Sequence, residues 1–341
     1  TTSTLWGVVR GSRAPAVPVT TSSRSWKGAA SRDRSSRVSC PARTLTAMAK
    51  RASNEAGAAR RITAVSRFSR PALRESLEAA GIETLAGDLL DERFVASLPD
   101  APLVMFMAGM KFGASGQEAR TWAMNAYVPA LVSRRFTYAR IAAFSTGNVY
   151  GTVPAASGGS REGDALQPVG EYAMSCLGRE RIFEHFSREH ATPMSIIRLN
   201  YACEVRCGVI VDLARKVLAG EPIDLTMGYF NAIWQADANA MALGALAEAA
   251  SPPFAINVTG PERLRVRDVA EQLAERMGRS VQLVGEEAPD ALLSDASRAF
   301  ELFGRPTVTA EQIIAWTADW VARGGETLGK PTKFEVRDGR F

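Results

Sequence analysis

The chain has 341 residues, of which 46% are hydrophobic and 23% are charged, a composition typical of a folded protein with one large or two ordinary domains. No apolar run approaches the roughly 18 residues that span a bilayer, so we expect no transmembrane segment and no membrane partner. Four Cys and two His argue against a disulfide framework and against any metal site, and they indicate a reducing, cytoplasmic compartment.

The net charge of +5 is unevenly distributed along the chain. The first 60 residues carry 11 basic and 2 acidic side chains, whereas the remainder carries 30 basic and 34 acidic ones. Because most of the chain is slightly acidic, the charge predicts no nucleic-acid partner.

Residues 1–45 are rich in Ser, Arg, Ala and Pro, poor in acidic residues, and without helical or strand periodicity. Such a composition occurs in organellar transit peptides and in unstructured or artefactual leaders. We favour the second interpretation and expect no element of the fold in this segment.

From residue 46 the pattern alternates between helices and apolar strands. The end of a helix is expected at 46–58, then a strand at Arg61–Phe68 and a helix that begins near Pro71 and ends at Gly81. The next predicted elements are a strand in 82–91, a helix in 91–99, a strand at 101–110, a helix at 121–136, a strand at 140–151, a helix at 171–190 and a strand at 192–202. Strands without polar alternation, separated by helices, indicate a parallel sheet covered on both faces.

The predicted fold class is therefore α/β, with a doubly wound, Rossmann-like dinucleotide-binding domain at residues 46–200. Residues 201–325 are less regular, with helices at 208–220, 237–250 and 265–278 and a strand at 254–260. We expect them to form a smaller α/β part that caps the ligand edge, followed by a C-terminal tail at 326–341. Ligands of such sheets bind at the carboxyl ends of the strands.

Two segments follow predicted strands at that edge. Met107–Gly113 contains Ala108 and Gly109, whose small size allows a ligand close to the backbone, and it carries the positive charge of Lys111. Ser145–Gly151 places two hydroxyl groups where its strand ends.

A third segment begins the helix at 171–190. Tyr172 lies in its first turn, and Cys176 and Arg179 follow on the same face at i+4 and i+7. A single tyrosine near a helix start is most often a core residue, so the three segments matter only together.

In this order the segments resemble the extended short-chain dehydrogenase/reductase family, the NAD(P)-dependent epimerase/dehydratase group that is typified by UDP-galactose epimerase. The resemblance covers about Ile62 to Val321. It is carried by GDLLD (87–91), AGMKFG (108–113), Asn125, STGNVYG (145–151), Tyr172, RLNYA (198–202), the stretch around Asp237 and INVTGPERLRVRDVAEQL (256–273).

The resemblance implies a nicotinamide cofactor, a carbohydrate-like substrate and a homodimer that pairs the helices at 120–136 and 171–189. It implies Tyr172 as general acid/base, with Thr146, Ser145 and Lys111 as further catalytic residues. The cofactor-binding residues that it implies are Asp88, Leu89, Ala108, Gly109, Lys111, Asn125, Cys176 and Asn200. The substrate-lining residues are Asn148, Tyr201, Phe230 and Trp234.

The first departure from the family pattern is Cys176, which stands where the family has a lysine. A phenol with a pKa of about 10 is a poor base, and a cation about 4 Å away would lower that pKa by up to about three units. A neutral thiol cannot do this. Either Lys111 or, second, Arg179 supplies the charge, or Tyr172 only donates a proton, or hydride chemistry has been lost.

The second departure is the glycine-rich turn GxxGxxG, which is absent from residues 1–61. Its backbone N–H groups and the following helix N-terminus normally bind the cofactor's pyrophosphate. We therefore expect the first strand and this turn to be missing, the sheet to lack a central strand, and dinucleotide binding to be poor.

Two further positions bear on the ligands. Phe230 stands where nucleotide-sugar enzymes of this group carry a diphosphate-binding arginine, which predicts a sugar, sugar acid or lactone without a nucleotide. Arg67, at the end of the second strand, has no acidic neighbour in sequence, which favours NADP over NAD.

Three functions remain open at this point. The leading one is an NAD(P)-dependent epimerase, dehydratase or dehydrogenase of a small carbohydrate. The second is a catalytically impaired cofactor-binding or sensing protein of the same fold. The third, ranked lower, is a cofactor-independent ester hydrolase that uses Ser145, Thr146 and Tyr172.

Overall fold

The computed structural model describes residues 6–10, 61–111 and 116–340. Strands and helices alternate in its first part, in the order β1 (Trp6–Arg10), β2 (Arg61–Ser66), α1 (Pro71–Ala79), β3 (Glu83–Ala86), α2 (Glu92–Ser97), β4 (Leu103–Phe106), α3 (Glu118–Trp122), α4 (Val128–Arg135), β5 (Arg140–Thr146), β6 (Val153–Pro154), α5 (Gly170–His190) and β7 (Met194–Leu199). A π-helical turn, Ala123–Tyr127, joins α3 to α4. The helix end predicted at 46–58 lies outside the described residues.

The second part contains longer helices and short strands. In order they are β8 (Ala202–Cys203), α6 (Val209–Ala219), β9 (Ile223–Asp224), β10 (Tyr229–Phe230), β11 (Ile233–Trp234), α7 (Gln235–Ala245), β12 (Phe254–Val258), β13 (Leu264–Arg265), α8 (Val266–Met277), β14 (Leu283–Val284), β15 (Asp290–Ala291), α9 (Ser297–Phe303) and α10 (Ala310–Ala322).

Seven strands form the main sheet in the order β12-β7-β5-β4-β1-β2-β3. All neighbouring pairs are parallel except the two that involve β1. The carboxyl ends of β2, β4, β5 and β7 therefore lie at one edge of the sheet, which is where this architecture places its ligands.

The N-terminal segment departs from the expectation that residues 1–45 form no element. Trp6–Arg10 form β1, which lies between β2 and β4 in the central position that was expected to be empty. The strand runs antiparallel, with Trp6 opposite Val65 and Arg10 opposite Arg61. Its carboxyl end thus points away from the ligand edge.

Helices cover both faces of the sheet, which confirms the doubly wound α/β class. On one face Leu77 of α1 and Met241 of α7 pack in a buried cluster, and on the other Val132 of α4 and Phe183 of α5 do so. A third buried cluster joins α6, α8 and α10 in the part that was predicted to cap the ligand edge.

The C-terminal tail is fastened to this capping part. Phe334 is fully buried in the third cluster, and Thr332 donates two hydrogen bonds to Asp212 of α6, both at 2.6 Å. Gly339 lies against Gly170, the first residue of α5: a Cβ on Gly339 would be 2.6 Å from the Gly170 Cα. The tail therefore reaches the helix that carries Tyr172.

We expect Phe334→Leu to lower the free energy of unfolding by about 1–2 kcal/mol, because it removes ring atoms from a closed site and leaves a small cavity. Urea unfolding monitored by circular dichroism measures this change. Val284→Ala is the matched control, since Val284 is 47% exposed and should change stability by less than about 0.5 kcal/mol. Equal effects of the two substitutions would show that the tail is not anchored through Phe334.

Candidate active site

The carboxyl end of β5 supplies the first predicted group. The strand ends at Thr146, whose hydroxyl oxygen accepts the N–H of Asn148 at 3.2 Å and so caps the short turn that follows. The cap fixes the Thr146 side chain at the ligand edge, since its oxygen is held by the backbone beyond it.

Tyr172 meets Thr146 at this edge. It lies in the first turn of α5, and the Thr146 side chain is close enough to its phenol to lower the phenol pKa. Burial raises the pKa of Tyr172 far above its usual value; Arg179 and the Thr146 side chain act in the opposite direction. The phenol is therefore held in its protonated form, as a proton donor that needs nearby positive charge to act as a base.

Lys111 lies beside the same ring. Its Nζ is 5.7 Å from the centroid of the Tyr172 ring and 6.0 Å from that of Tyr201, within cation–π range of both. Burial lowers the pKa of Lys111 to about 8, although the nearby Cys176 and Asp212 act to raise it. The ammonium group is therefore poised to lose its proton a little above neutral pH.

This pKa gives a prediction for stability. Lys111 releases its proton near pH 8 when folded but near pH 10.4 when unfolded, so the unfolded chain binds more protons between these values. For this group stability rises with pH across that window, by up to about 1.4 kcal/mol per pH unit. We expect the wild type to gain stability relative to Lys111→Met from pH 8 to 10, with exposed Lys333→Met as control. A flat difference would contradict the buried position of Lys111.

Cys176 is fully buried and packs with Val149, Tyr150 and Leu177. Burial raises the pKa of its thiol, against the opposing effect of Arg179. A neutral thiol in an apolar cluster cannot hold a cofactor through a charge. Cys176 therefore offers no charge to a ligand, and its cofactor-binding role stays a prediction.

Arg179 is the buried cation on this face of α5. Its guanidinium donates to the carbonyl oxygen of Phe144 at 2.7 Å and to Oδ1 of Asn125 at 2.7 Å. A Cβ on Gly109 would lie 2.4 Å from Nη2. The close approach after β4 that was predicted for a ligand is thus also needed by this arginine.

Asn125 holds the segment after β4 in place. It lies in the π-helical turn, a feature that is frequent at functional sites. Its Oδ1 accepts the N–H of Met110 at 2.8 Å, and its Nδ2 donates to the Met110 carbonyl and to Ser175 Oγ. Both amide protons are used by the protein itself, so Asn125 acts behind the binding surface.

Ser145 belongs to a buried polar network. Its hydroxyl donates to Glu180 at 2.5 Å, and Glu180 forms a 2.8 Å ion pair with Arg198. Arg198 also donates to the Tyr150 phenol oxygen at 2.8 Å, and this phenol donates to Asn257 at 2.8 Å. Sequence reasoning missed Glu180, Arg198 and Tyr150. In the sequence, these three residues stand out only as charged or polar positions within otherwise apolar segments.

A cavity of about 80 Å³ lies between the sheet edge and the capping part. Asn148 and Tyr201, both predicted to line the substrate site, contribute to its wall together with Val336, Arg337 and Gly339 of the tail. The Tyr201 ring also contacts Lys111, so the cavity adjoins the site formed by Tyr172 and Thr146. The contribution of the tail was not predicted.

Two predicted substrate residues lie elsewhere. Phe230 is completely buried in the third cluster between Tyr201 and Phe334, at 6.3 Å from each ring centroid. Trp234 packs edge-on against Trp316 of α10 at 5.3 Å. Direct substrate contact by Phe230 is therefore corrected, since it packs behind Tyr201 without exposed surface. Trp234 is only partly buried, and its substrate contact stays a prediction.

Two of the residues predicted to bind the cofactor, Arg67 and Asp88, lie close together. Arg67 Nη1 is 3.9 Å from the Asp88 carboxylate. Leu89 and Ala108 are almost completely buried, so they present little side-chain surface. Asn200 donates to Asn231 at 2.9 Å and thereby ties the end of β7 to the capping part.

The fit to a dinucleotide differs between its two ends. At the reacting end, Thr146 and Tyr172 supply a pair of hydroxyl groups. Gly109 belongs to the stretch of small residues beside them. At the diphosphate end, the antiparallel β1 brings its first residue, not a glycine turn and helix N-terminus, to the ligand edge. Within the described ranges the reacting end fits the cofactor and the diphosphate end does not.

Other kinds of site find little support in the described part of the chain. No group of three or more His, Cys, Asp and Glu is arranged to hold a metal ion. Among the described cysteines, Cys176 and Cys203 are free thiols, and the Cys207 thiol donates to Glu204. No described helix combines the length and the apolar character that a membrane crossing requires.

Comparison with known proteins identifies the fold. No protein-family model and no curated protein matches the sequence, but solved structures do match. The dTDP-glucose 4,6-dehydratase DesIV from Streptomyces venezuelae superposes with a TM-score of 0.70 and 16% identity, over 83% of this chain and 94% of that one. UDP-glucose 4-epimerase from Thermotoga maritima gives 0.67 and 18%, over 81% and 95%. A UDP-galactose 4-epimerase gives 0.65 and 20%, over 82% and 95%.

These neighbours are extended short-chain dehydrogenase/reductase epimerases and dehydratases. The chain therefore has the fold of that class, and the resemblance first drawn from its motifs is confirmed at the level of the fold.

Proposed function

We propose that the protein is an NAD(P)-dependent epimerase, dehydratase or dehydrogenase that acts on a small carbohydrate or sugar acid. The observation that carries this proposal is the approach of the Thr146 side chain to the Tyr172 phenol at the ligand edge, with Lys111 beside the ring. A phenol paired with a hydroxyl at the ends of adjacent elements is suited to moving a proton on and off a sugar hydroxyl.

Thr146 and Tyr172 would have different roles at the sugar hydroxyl. Thr146 would orient the substrate oxygen, and Tyr172 would transfer the proton at the same atom. The nicotinamide, when bound, supplies the hydride acceptor. Arg67 and Asp88 would hold its adenosine end, with NADP preferred because the Arg67 guanidinium can accompany a 2′-phosphate.

The residue at position 230 supports a substrate without a nucleotide. Phe230 is completely buried, and its side chain offers no charge for a diphosphate.

A homodimer through α3, α4 and α5 is part of the proposal. Trp122 of α3, Tyr127 of the π-helical turn and Met174 of α5 are 37%, 43% and 37% exposed. Exposed large apolar side chains on successive elements suit an interface.

The sensing alternative keeps one specific observation in its favour, the mismatch at the diphosphate end. For the ester-hydrolase alternative, neither the two histidines nor Glu180 is placed to act as general base. The two histidines of the chain lie near Glu189, at 3.2 and 3.9 Å, towards the far end of α5. Glu180, which accepts from Ser145, is bound by Arg198.

The proposal is tested by incubating the protein with NAD⁺ or NADP⁺ and a panel of free aldoses, aldonates and uronates. Absorbance at 340 nm reports net oxidation, and proton NMR reports epimerisation or dehydration. UDP- and dTDP-sugars serve as comparators. We expect turnover of free sugars or sugar acids and little of the nucleotide sugars; the reverse preference would overturn the substrate class.

A further inference from the structure

The environment of Arg179 differs from that of the other buried arginine, Arg198. Arg179 is 6% exposed, and its three hydrogen bonds go to neutral oxygens: the Asn125 carbonyl at 3.3 Å, the Asn125 amide and the Phe144 carbonyl. The Phe106 ring lies 5.7 Å away. No carboxylate among the described residues forms an ion pair with it, whereas Arg198 has Glu180.

A buried cation without a counter-charge is costly, since charges inside proteins are normally paired. Such a charge persists where it serves another group. The groups that share its side of α5 are Tyr172 and Cys176, at i−7 and i−3, and its Nη1 is bound to the carbonyl of Phe144, two residues before Thr146. The guanidinium is therefore anchored to the strand that ends at Thr146, on the side of α5 that carries Tyr172.

We propose that Arg179 is the positioning cation of the site, which stabilises negative charge on the Tyr172 oxygen and takes the electrostatic place of an ammonium group at position 176. This role rests on the proposed acid–base function of Tyr172. Both the Tyr172 and Cys176 pKa values are drawn down by this arginine against their burial.

Arg179 suits this role better than Lys111. The Lys111 ammonium lies over the ring faces of Tyr172 and Tyr201, and its charge is lost near pH 8. A guanidinium stays charged at every pH that the fold survives. The other charged groups near position 176 are Lys111 and Glu180, and Glu180 is held by Arg198 and Ser145.

The first test needs no substrate. If Arg179 already supplies the charge, Cys176→Lys introduces a second cation beside it, whereas Cys176→Met introduces the same bulk without charge. We expect Cys176→Lys to have a Tm lower than that of Cys176→Met by about 5 °C or more at pH 7. The gap should narrow towards pH 10, because the repelled lysine loses its proton early and the repulsion disappears.

The same pair is then compared in the Arg179→Met and Arg179→Lys backgrounds. We expect the gap to shrink with Arg179→Met to the cost of burying an ammonium group alone. It should keep its full size with Arg179→Lys, which keeps the charge if the guanidinium fork proves essential for folding. A gap that is absent in the wild-type background, or that is the same in the wild-type and Arg179→Met backgrounds at both pH values, would overturn the proposal.

A second test uses whichever free sugar the panel identifies. For sugar oxidation, in which Tyr172 acts as the base, Arg179→Met should lower kcat at least tenfold and move the acidic limb of the pH profile upwards, and adding Cys176→Lys to it should restore both. Failure of this rescue, with the fold intact, overturns the role of Arg179. If no sugar is turned over by any variant, the proposed function fails, while the Tm comparison still decides where the cation lies.

Discussion

Tyr172→Phe should lower turnover of any accepted sugar by about 10²- to 10⁴-fold while leaving the fold intact. The substitution removes only the phenol oxygen, which is the atom that Thr146 approaches and the one that would carry the proton. Steady-state kinetics measures the effect, and KM should change little because the ring still fills its place.

Tyr138→Phe is the matched control for this substitution. Tyr138 is completely exposed, so its loss of a hydroxyl should leave both turnover and stability unchanged. If Tyr172→Phe retained more than about a third of wild-type turnover, the phenol would have no part in proton transfer and Thr146 or a bound water would have to replace it.

Arg198→Met should lower the free energy of unfolding by about 3–5 kcal/mol. Arg198 and Glu180 have side chains that are 7% and 6% exposed, and removal of one partner leaves the other charge buried without compensation. The loss extends to the hydrogen bond with Tyr150. Chemical denaturation followed by fluorescence measures the change.

Two comparisons separate this ion pair from a general loss of packing. Arg188→Met breaks an exposed pair with Glu184 on the same helix and should change stability by less than about 1 kcal/mol. The double variant Glu180→Gln/Arg198→Met should be more stable than Arg198→Met alone, since no buried charge is left unpaired. A double variant that is less stable would place the energy in packing instead.

The sequence was sufficient for most of the sheet, because buried parallel strands are apolar throughout and the intervening helices have clear ends. The strand predicted at 140–151 is β5 (Arg140–Thr146), and the helix predicted at 171–190 is α5 (Gly170–His190). β1 was missed because a five-residue strand in an otherwise polar segment has no periodicity to read.

The candidate site was predictable where a motif names a side chain and not where packing decides its use. Thr146 and Tyr172 lie at the same edge of the sheet, and their catalytic roles stay predictions. Phe230 matched a substrate position in the motif, yet tertiary packing places its side chain in the core. Arg179 was ranked below Lys111 because sequence spacing does not show which cation lacks a counter-charge. The position of Arg337 at the cavity could not be predicted, because the path of the tail depends on how Phe334 packs.

Titration of the protein's tryptophan fluorescence with NADPH and NAD⁺ tests most directly whether this cleft receives a nicotinamide. We expect saturable quenching that is stronger for NADPH, with half-saturation nearer millimolar than micromolar because the diphosphate end fits poorly. The absence of any saturable quenching up to several millimolar would contradict a redox function for this chain and leave only the architecture.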